Sequence, residues 1–452
     1  MLAVMALAPS AAQAVEPGLS PDLTWGTSTG DQDKTGSLLQ DSGSKWVRLN
    51  VEWSATETSN NTYDSWMLSH YDRAVQVARS AGQRVLMLIS TSPSWASGSS
   101  NKQAPPQNPA DFADFAHFLA ARWAGKVEAW EVWNEPNLDR FWPTGPSPAK
   151  YTELLKAAYP AIKSADPNAK VVFAGPSTND YNFIEGAYAA GAKGYFDVMG
   201  THPYSCKSPE AVWSSNGRVS QFAYLGYREI HKSMVARGDD KPIWFTEFGW
   251  GTSSQECGVD EATQADYLTK AFKLAAQDSY VQVAFWYNLR NNYWMHDAND
   301  VESQYGLLRS DFSRKASYNA FKACATGACG STSTTPAPSG SGSTDSGSSL
   351  KVSLRVKKVR GKAVTSSRHS VSKPRAGRMV LGRVSGANSG RVTVTLQRFK
   401  KGRWSKARVL RTSVDSSGVF SKSLKVKRGK WRVSASYHGA GSPCSGYVKF
   451  KS

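Results

Sequence analysis

Residues 127–137 read VEAWEVWNEPN. Val, Ala and Trp dominate the first seven positions, which suits a pleated, buried strand. Pro136 then removes a ladder donor, so the strand must end at Asn134-Glu135. A carboxylate is thereby placed where a strand runs out. Just upstream, 109–124 (PADFADFAHFLAARWA) has helical periodicity, with Pro109 suited to a first turn and Gly125 to the end.

The same alternation recurs in both directions. Strand-like runs occur at 23–28 (LTWGTS), 46–53 (WVRLNVEW), 84–91 (RVLMLIST), 127–135, 170–177 (KVVFAGPS), 196–204 (FDVMGTHPY), 242–250 (PIWFTEFGW) and 281–289 (VQVAFWYNL), with helix-length stretches between them. Strands alternating with helices specify a parallel sheet, and eight such units within about 300 residues fit a closed (β/α)8 barrel of the TIM type. Polar and aromatic residues gather where these runs end: Asn50 to Trp53, Asn134-Glu135, His202-Pro203-Tyr204, Glu247 and Trp286-Tyr287. In such a barrel that rim is where an active site is built.

Outside residues 15–326, expected to form the barrel domain, the composition changes twice. The first 14 residues hold an apolar run, Leu2–Leu7, followed by Ala12-Gln13-Ala14, and read as a signal peptide cut after Ala14. No other stretch is long and apolar enough for a transmembrane segment. Residues 327–349 are Ser, Gly, Thr and Pro with little to bury, the composition of a linker. Residues 350–452 alternate apolar with basic residues between glycine-rich turns and predict a small all-β sandwich. They carry 27 of the chain's 55 Lys and Arg but a single acid, Asp415. That region should be drawn to polyanions, an anionic cell-wall polymer among them, but it has no motif for reading a nucleic-acid sequence. The five cysteines fit an exported protein with one or two bridges: Cys324 with Cys329 across a short loop, Cys206 with Cys257 between neighbouring loops, and Cys444 left over.

Two glutamates carry the chemistry. Glu135 ends the fourth run and Glu247 the seventh, and those two strands face one another across a closed barrel. Cleavage of a glycosidic bond with retention requires two carboxyl groups on either side of one sugar carbon, one to protonate the leaving oxygen and one to attack. Arg48 can hold the attacking carboxylate ionised and Tyr204 can donate to it. Glu131 lies deeper on its strand and reads as a structural hydrogen-bonding group, and Glu52 as a rim residue. Sugar rings pack their C–H faces on aromatics, and Trp95, Trp142, Trp250, Trp286, Tyr181, Tyr287 and Trp294 fall at strand ends or in loops where they could line a groove. No metal or cofactor is expected, because the seven histidines show no ligand spacing.

The sequences WNEPN at 133–137 and TEFGW at 246–250 resemble glycoside hydrolase clan A, most closely family 39 and its exopolysaccharide-cleaving relatives, over roughly residues 22–325. The resemblance implies a secreted retaining hydrolase of an extracellular or cell-wall polysaccharide. Glu135 would be its acid/base, Glu247 its nucleophile and Asn134 the ligand of a sugar 2-hydroxyl. It further implies a substrate contact for His202 and a sugar platform at Trp286. The basic region resembles the Ig-like β-domains appended to secreted bacterial enzymes.

Overall fold

The computed structural model describes residues 15–330, apart from 25–26 and 293–299, together with the backbone of seven strands between 351 and 451. The apolar leader, the linker from 331 onward and Trp294 lie outside the described residues. The chain divides into two compact units, residues 1–334 and 335–452.

The first unit is a closed barrel of eight parallel strands: β1 (Glu16–Leu19), β2 (Trp46–Glu52), β3 (Arg84–Ser90), β4 (Ala129–Val132), β5 (Lys170–Phe173), β6 (Val198–Thr201), β7 (Ile243–Phe248) and β8 (Val281–Trp286). Each is followed by one main helix: α1 (Thr29–Ser42), α2 (Ser65–Ser80), α3 (Pro109–Arg122), α4 (Pro148–Ala165), α5 (Tyr181–Ala189), α6 (Tyr227–Val235), α7 (Glu261–Ala275) and α8 (Ala316–Ala325). The helix starts follow local chemistry. Asn108 accepts from the Ala110 amide ahead of Pro109, and Ser147 accepts from Lys150 ahead of Pro148, so orphan N–H groups are satisfied where each helix begins.

Seven of the eight expected strands lie within their predicted runs, but the first does not. The barrel's opening strand is Glu16–Leu19, before the run at 23–28, and it pairs with β8 and β2. Pro17 and Gly18 make this stretch look like a turn. The fold needs that glycine, because a Cβ on Gly18 would lie 2.5 Å from the ring of Phe285. Ser28 instead caps α1, accepting from the Asp31 amide.

Inside the barrel, Trp46, Leu86, Ala129, Val172, Val198, Trp244, Val283 and Phe285 form a fully buried layer with one or two residues from each of β2–β8. Trp46 and Trp244 meet edge to face at 4.8 Å. This packed plug closes the interior from below, so only the rim at the strand C-termini is left to hold a ligand. No helix among the described residues is long and apolar enough to cross a membrane.

The described residues of the second unit form two sheets: one of β9 (Lys351–Val359), β10 (Gly377–Ser385) and β13 (Val419–Leu424), and one in the order β12 (Arg403–Ser413), β11 (Arg391–Lys400), β14 (Lys430–His438), β15 (Cys444–Lys451). All neighbours run antiparallel.

Candidate active site

At the C-terminal ends of the barrel strands lies an open cavity of about 1390 Å³. Its floor is a charge network built from four strands. Arg48, on β2 and 7% exposed, is the hub. Its Nε donates to Glu131 Oε2 (2.6 Å), its Nη1 to Glu247 Oε1 (2.5 Å) and its Nη2 to Asn134 Oδ1 (3.0 Å). Glu131 is wholly buried on β4 and also accepts the Gly175 amide at 3.2 Å. Gly175 must be glycine here, since a Cβ would sit 2.5 Å from both His202 and Thr246.

Asn134 and Glu135 follow β4 directly. The flanking Trp133 and Glu135 itself hold left-handed backbone, φ 75° and 40°, a conformation costing a non-glycine residue about 1–3 kcal/mol. Trp133 fixes this turn: its ring is buried against Phe112 and Trp142, and its Nε1 donates to the Phe141 carbonyl at 2.9 Å. The strain therefore rests on a packed support, and it aims the Glu135 carboxyl inward. Glu135 Oε1 lies 2.8 Å from His202 Nδ1.

Glu247 comes from β7. Its second oxygen accepts from the Tyr204 hydroxyl at 2.9 Å and lies 3.9 Å from His202 Nδ1. Single donor atoms from Glu135, His202 and Glu247 all fall within 4.8 Å of one another. Such a trio could in principle ligate a cation. Here the guanidinium already on Glu247 opposes a second positive charge, and the hydroxyl of Tyr204 takes the other oxygen.

The electrostatics separate the groups. Burial works to raise the Glu247 carboxyl, but His202, Arg48 and the Tyr204 hydroxyl together outweigh it and hold the group below the usual glutamate range. Burial would favour neutral His202, yet the fields of Glu247 and Glu135 raise it above an ordinary imidazole. Burial, then the charge of Glu247, keeps the Tyr204 phenol protonated and a donor. If Glu247 is the attacking carboxylate it must be ionised, and the acidic limb of a pH–rate profile should then report it. Tyr204→Phe removes one of the interactions that lower it. The acidic limb of kcat/KM should then move to higher pH, and an unchanged limb would show that Tyr204 does not tune this carboxylate.

The aromatic residues sort differently from their sequence positions. Trp286 is fully buried: it packs on Phe248 and Trp250, its Nε1 donates to the Tyr305 carbonyl, and it does not line the cavity. The next residue, Tyr287, just past the end of β8, lines the cavity instead. Trp142 is core, packed on Trp133 and Tyr151. Trp95 stands against Trp53 and donates to the Glu57 carbonyl, and Tyr181 lies under the Arg218 guanidinium; none of these three reaches the cavity. Trp250 borders it but is 2% exposed, with its Nε1 bound to the Lys207 carbonyl.

Asn50, one of the strand-end polar residues, lines the cavity, and so do groups that had not stood out in the sequence: Tyr305, Asn288, Glu302, Trp213 and Phe222. Tyr305 packs edge-on to both Tyr204 and Tyr287, so three phenols wall the space around Glu247. Trp213 and Phe222 sit in the long loop after β6, Phe222 with 56% of its surface exposed. That loop is tied to the one after β7 by the Cys206–Cys257 disulfide, whose two half-cystines also line the cavity. A second bridge joins Cys324 and Cys329. Glu52, at the rim, pairs with Lys102 at 2.8 Å.

The family model described as "Cellulase (glycosyl hydrolase family 5)" matches residues 10–292, more than half of the chain. The chain belongs to glycosyl hydrolase family 5. Family 5 lies in clan A, so the clan expected from WNEPN and TEFGW is the right one, while the matching family model is 5 rather than 39. The structural neighbours of this family 5 hydrolase include both families. A family 39 glycoside hydrolase from Bacteroides cellulosilyticus WH2 aligns with a TM-score of 0.57 and 18% identity, covering 91% of this chain and 81% of the other. A monomeric β-xylosidase from Caulobacter crescentus CB15 gives 0.54 and 16%, covering 91% and 94%. A family 5 enzyme from Streptomyces cattleya, solved with GlcNAc, gives 0.54 and 17%, covering 70% and 80%. At these identities the neighbours establish the barrel fold alone. No curated protein sequence matches the hydrolase.

Proposed function

We propose that this hydrolase cleaves O-glycosidic bonds by double displacement with retention, with Glu247 as nucleophile and Glu135 as acid/base. The observation that carries the reading is the approach of the two carboxyl groups, with an oxygen of each inside 4.8 Å. Retaining enzymes place their carboxyls about 5–5.5 Å apart, whereas inverting ones leave about 6.5–9.5 Å for a water molecule. In the first step a Glu247 oxygen attacks the anomeric carbon while Glu135 passes its proton to the departing oxygen. In the second, Glu135 takes a proton from water, which opens the glycosyl ester on Glu247.

The surrounding groups have matching tasks. Arg48 and Tyr204 keep Glu247 ionised and aimed. Because Arg48 occupies Asn134 Oδ1, the amide nitrogen of Asn134 is the end that can donate to a sugar hydroxyl. His202 holds Glu135, and Tyr287 and Tyr305 give the sugar ring apolar walls. Proton NMR of the first-formed product tests the stereochemistry: the anomer released should match the substrate, and initial appearance of the opposite anomer would refute retention.

We further read the substrate as an extracellular polysaccharide cut internally. The cavity is open, and the exposed Phe222 and half-buried Trp213 on its lining offer platforms for sugar units beyond the cleavage point. Phe222→Ala should raise KM for a polymer about 5- to 10-fold, the loss of one stacked ring, and leave hydrolysis of a small aryl glycoside unchanged. Equal effects on both substrates would count against the extended groove. An exo-acting β-glycosidase would release monosaccharide from the outset, a pattern that sizing of early products separates from internal cleavage. Two disulfides, one bordering the active site, favour work outside the reducing cytoplasm.

A further inference from the structure

The four-stranded sheet of the second unit divides its residues by register. One face carries Val392, Val394 and Leu396 of β11, Leu410 of β12, Trp431, Val433, Ala435 and Tyr437 of β14, and Val448 and Phe450 of β15, with Arg398, Lys400, Arg403 and Arg408 of the β11–β12 hairpin at the same parity. Val394 is fully buried and Leu410 half-buried, which marks this as the inward face.

The opposite parity carries a different set. Arg391 and Gln397 of β11, Lys406 and Arg411 of β12, Lys430 and Arg432 of β14, and Lys449 and Lys451 of β15 share the outer face with Thr393, Thr395, Ser413, Ser434, Ser436, His438, Ser445 and Tyr447, and with Val409, Phe399 and Trp404 toward the β11–β12 end. No acidic residue is among them. The densest part is a block on two neighbouring strands, with Lys430 opposite Lys451 and Arg432 opposite Lys449. Like charges placed directly opposite across a sheet destabilise it. Two successive pairs of this kind are the pattern of a surface kept for a counter-charge.

We propose that this outer face docks the enzyme onto an anionic polysaccharide whose charges are carboxylates. Charge complementarity supplies the attraction, and the rows of Ser and Thr beside the cations supply partners for sugar hydroxyls. The choice of a glycan rests on the reading of the barrel as a polysaccharide hydrolase, so both activities are followed together.

The test uses the full chain, polygalacturonate as probe, and a series of salt concentrations. The variant Lys430→Ser/Arg432→Ser/Lys449→Ser/Lys451→Ser should bind at least tenfold more weakly near 0.15 M salt and with a distinctly shallower salt dependence. A charge-matched control, Lys351→Ser/Arg355→Ser/Lys357→Ser/Arg383→Ser in the three-stranded sheet, should lose much less. The exchange Lys430→Arg/Arg432→Lys/Lys449→Arg/Lys451→Arg should retain binding, and this result stands if the serine variant fails to fold. All variants should hydrolyse a small aryl glycoside as the parent does. Equal losses in the two serine variants would overturn the proposal in favour of diffuse charge. Tighter binding to duplex DNA or to vesicles of anionic lipid than to polygalacturonate would overturn the choice of partner. An enzyme inactive on every glycoside but still selective for this face would overturn the hydrolase reading and leave the docking surface intact.

Discussion

In the Glu247→Ala enzyme, kcat on any glycoside should fall by about 10⁴-fold or more, equivalent to at least about 5.5 kcal/mol of lost transition-state stabilisation. No other carboxylate can take its place at the anomeric carbon. Glu131 is wholly buried and fully engaged by Arg48 and Gly175, and Glu135 is held by His202 and assigned to the leaving oxygen in the proposed mechanism. The substitution also strips a partner from Arg48 and from Tyr204. Glu247→Gln, which keeps the shape and one acceptor, should therefore be prepared alongside and its thermal unfolding compared. Both variants folded and both inactive is the expected result. Either one retaining turnover with retention of configuration would remove Glu247 from the role of nucleophile.

Glu135→Ala should separate the two half-reactions. With an ordinary sugar alcohol as leaving group, the missing proton donor should cost about 10²–10⁴-fold in kcat/KM. With a good aryl leaving group, departure needs no proton, so the ester on Glu247 should still form quickly and then accumulate. Its hydrolysis now lacks a base, and a burst followed by a slow steady state with lowered KM should appear. Azide, small enough for the vacated space and needing no base, should restore turnover and yield a glycosyl azide of the substrate's own configuration. Azide product of inverted configuration would mean direct displacement at an open site, with no covalent intermediate.

Much of this site was legible from the strand ends. Arg48, Asn134, Glu135, His202, Tyr204 and Glu247 all sit within or just beyond a run of β-forming residues, where alternation and the closing polar residue locate them to a position. The opening strand was not legible because Pro17 and Gly18 carry the signature of a turn, and the requirement for Gly18 comes from Phe285, distant in sequence. The aromatic residues failed for a different reason. A tryptophan offers the same ring to a core or to a sugar: Trp286, the last residue of β8, turns into the core, while Tyr287 just beyond the strand lines the cavity. Trp142 and Trp95 are likewise spent on packing and on hydrogen bonds to backbone. Tyr305, Phe222 and Trp213 lie in long rim loops, whose course over the barrel no local periodicity encodes. His202 and Glu131, by contrast, owe their surroundings to strand order, which fixes neighbours once eight units are recognised.

The central claim is a covalent bond between a sugar and the side chain at position 247. Incubation with a 2-deoxy-2-fluoro glycoside bearing a good leaving group should slow release of the ester, add one fluorosugar to the intact mass, and place it after proteolysis on the peptide containing Thr246-Glu247-Phe248. A label on the peptide containing Glu135, or turnover to inverted product without any labelled protein, would contradict the account.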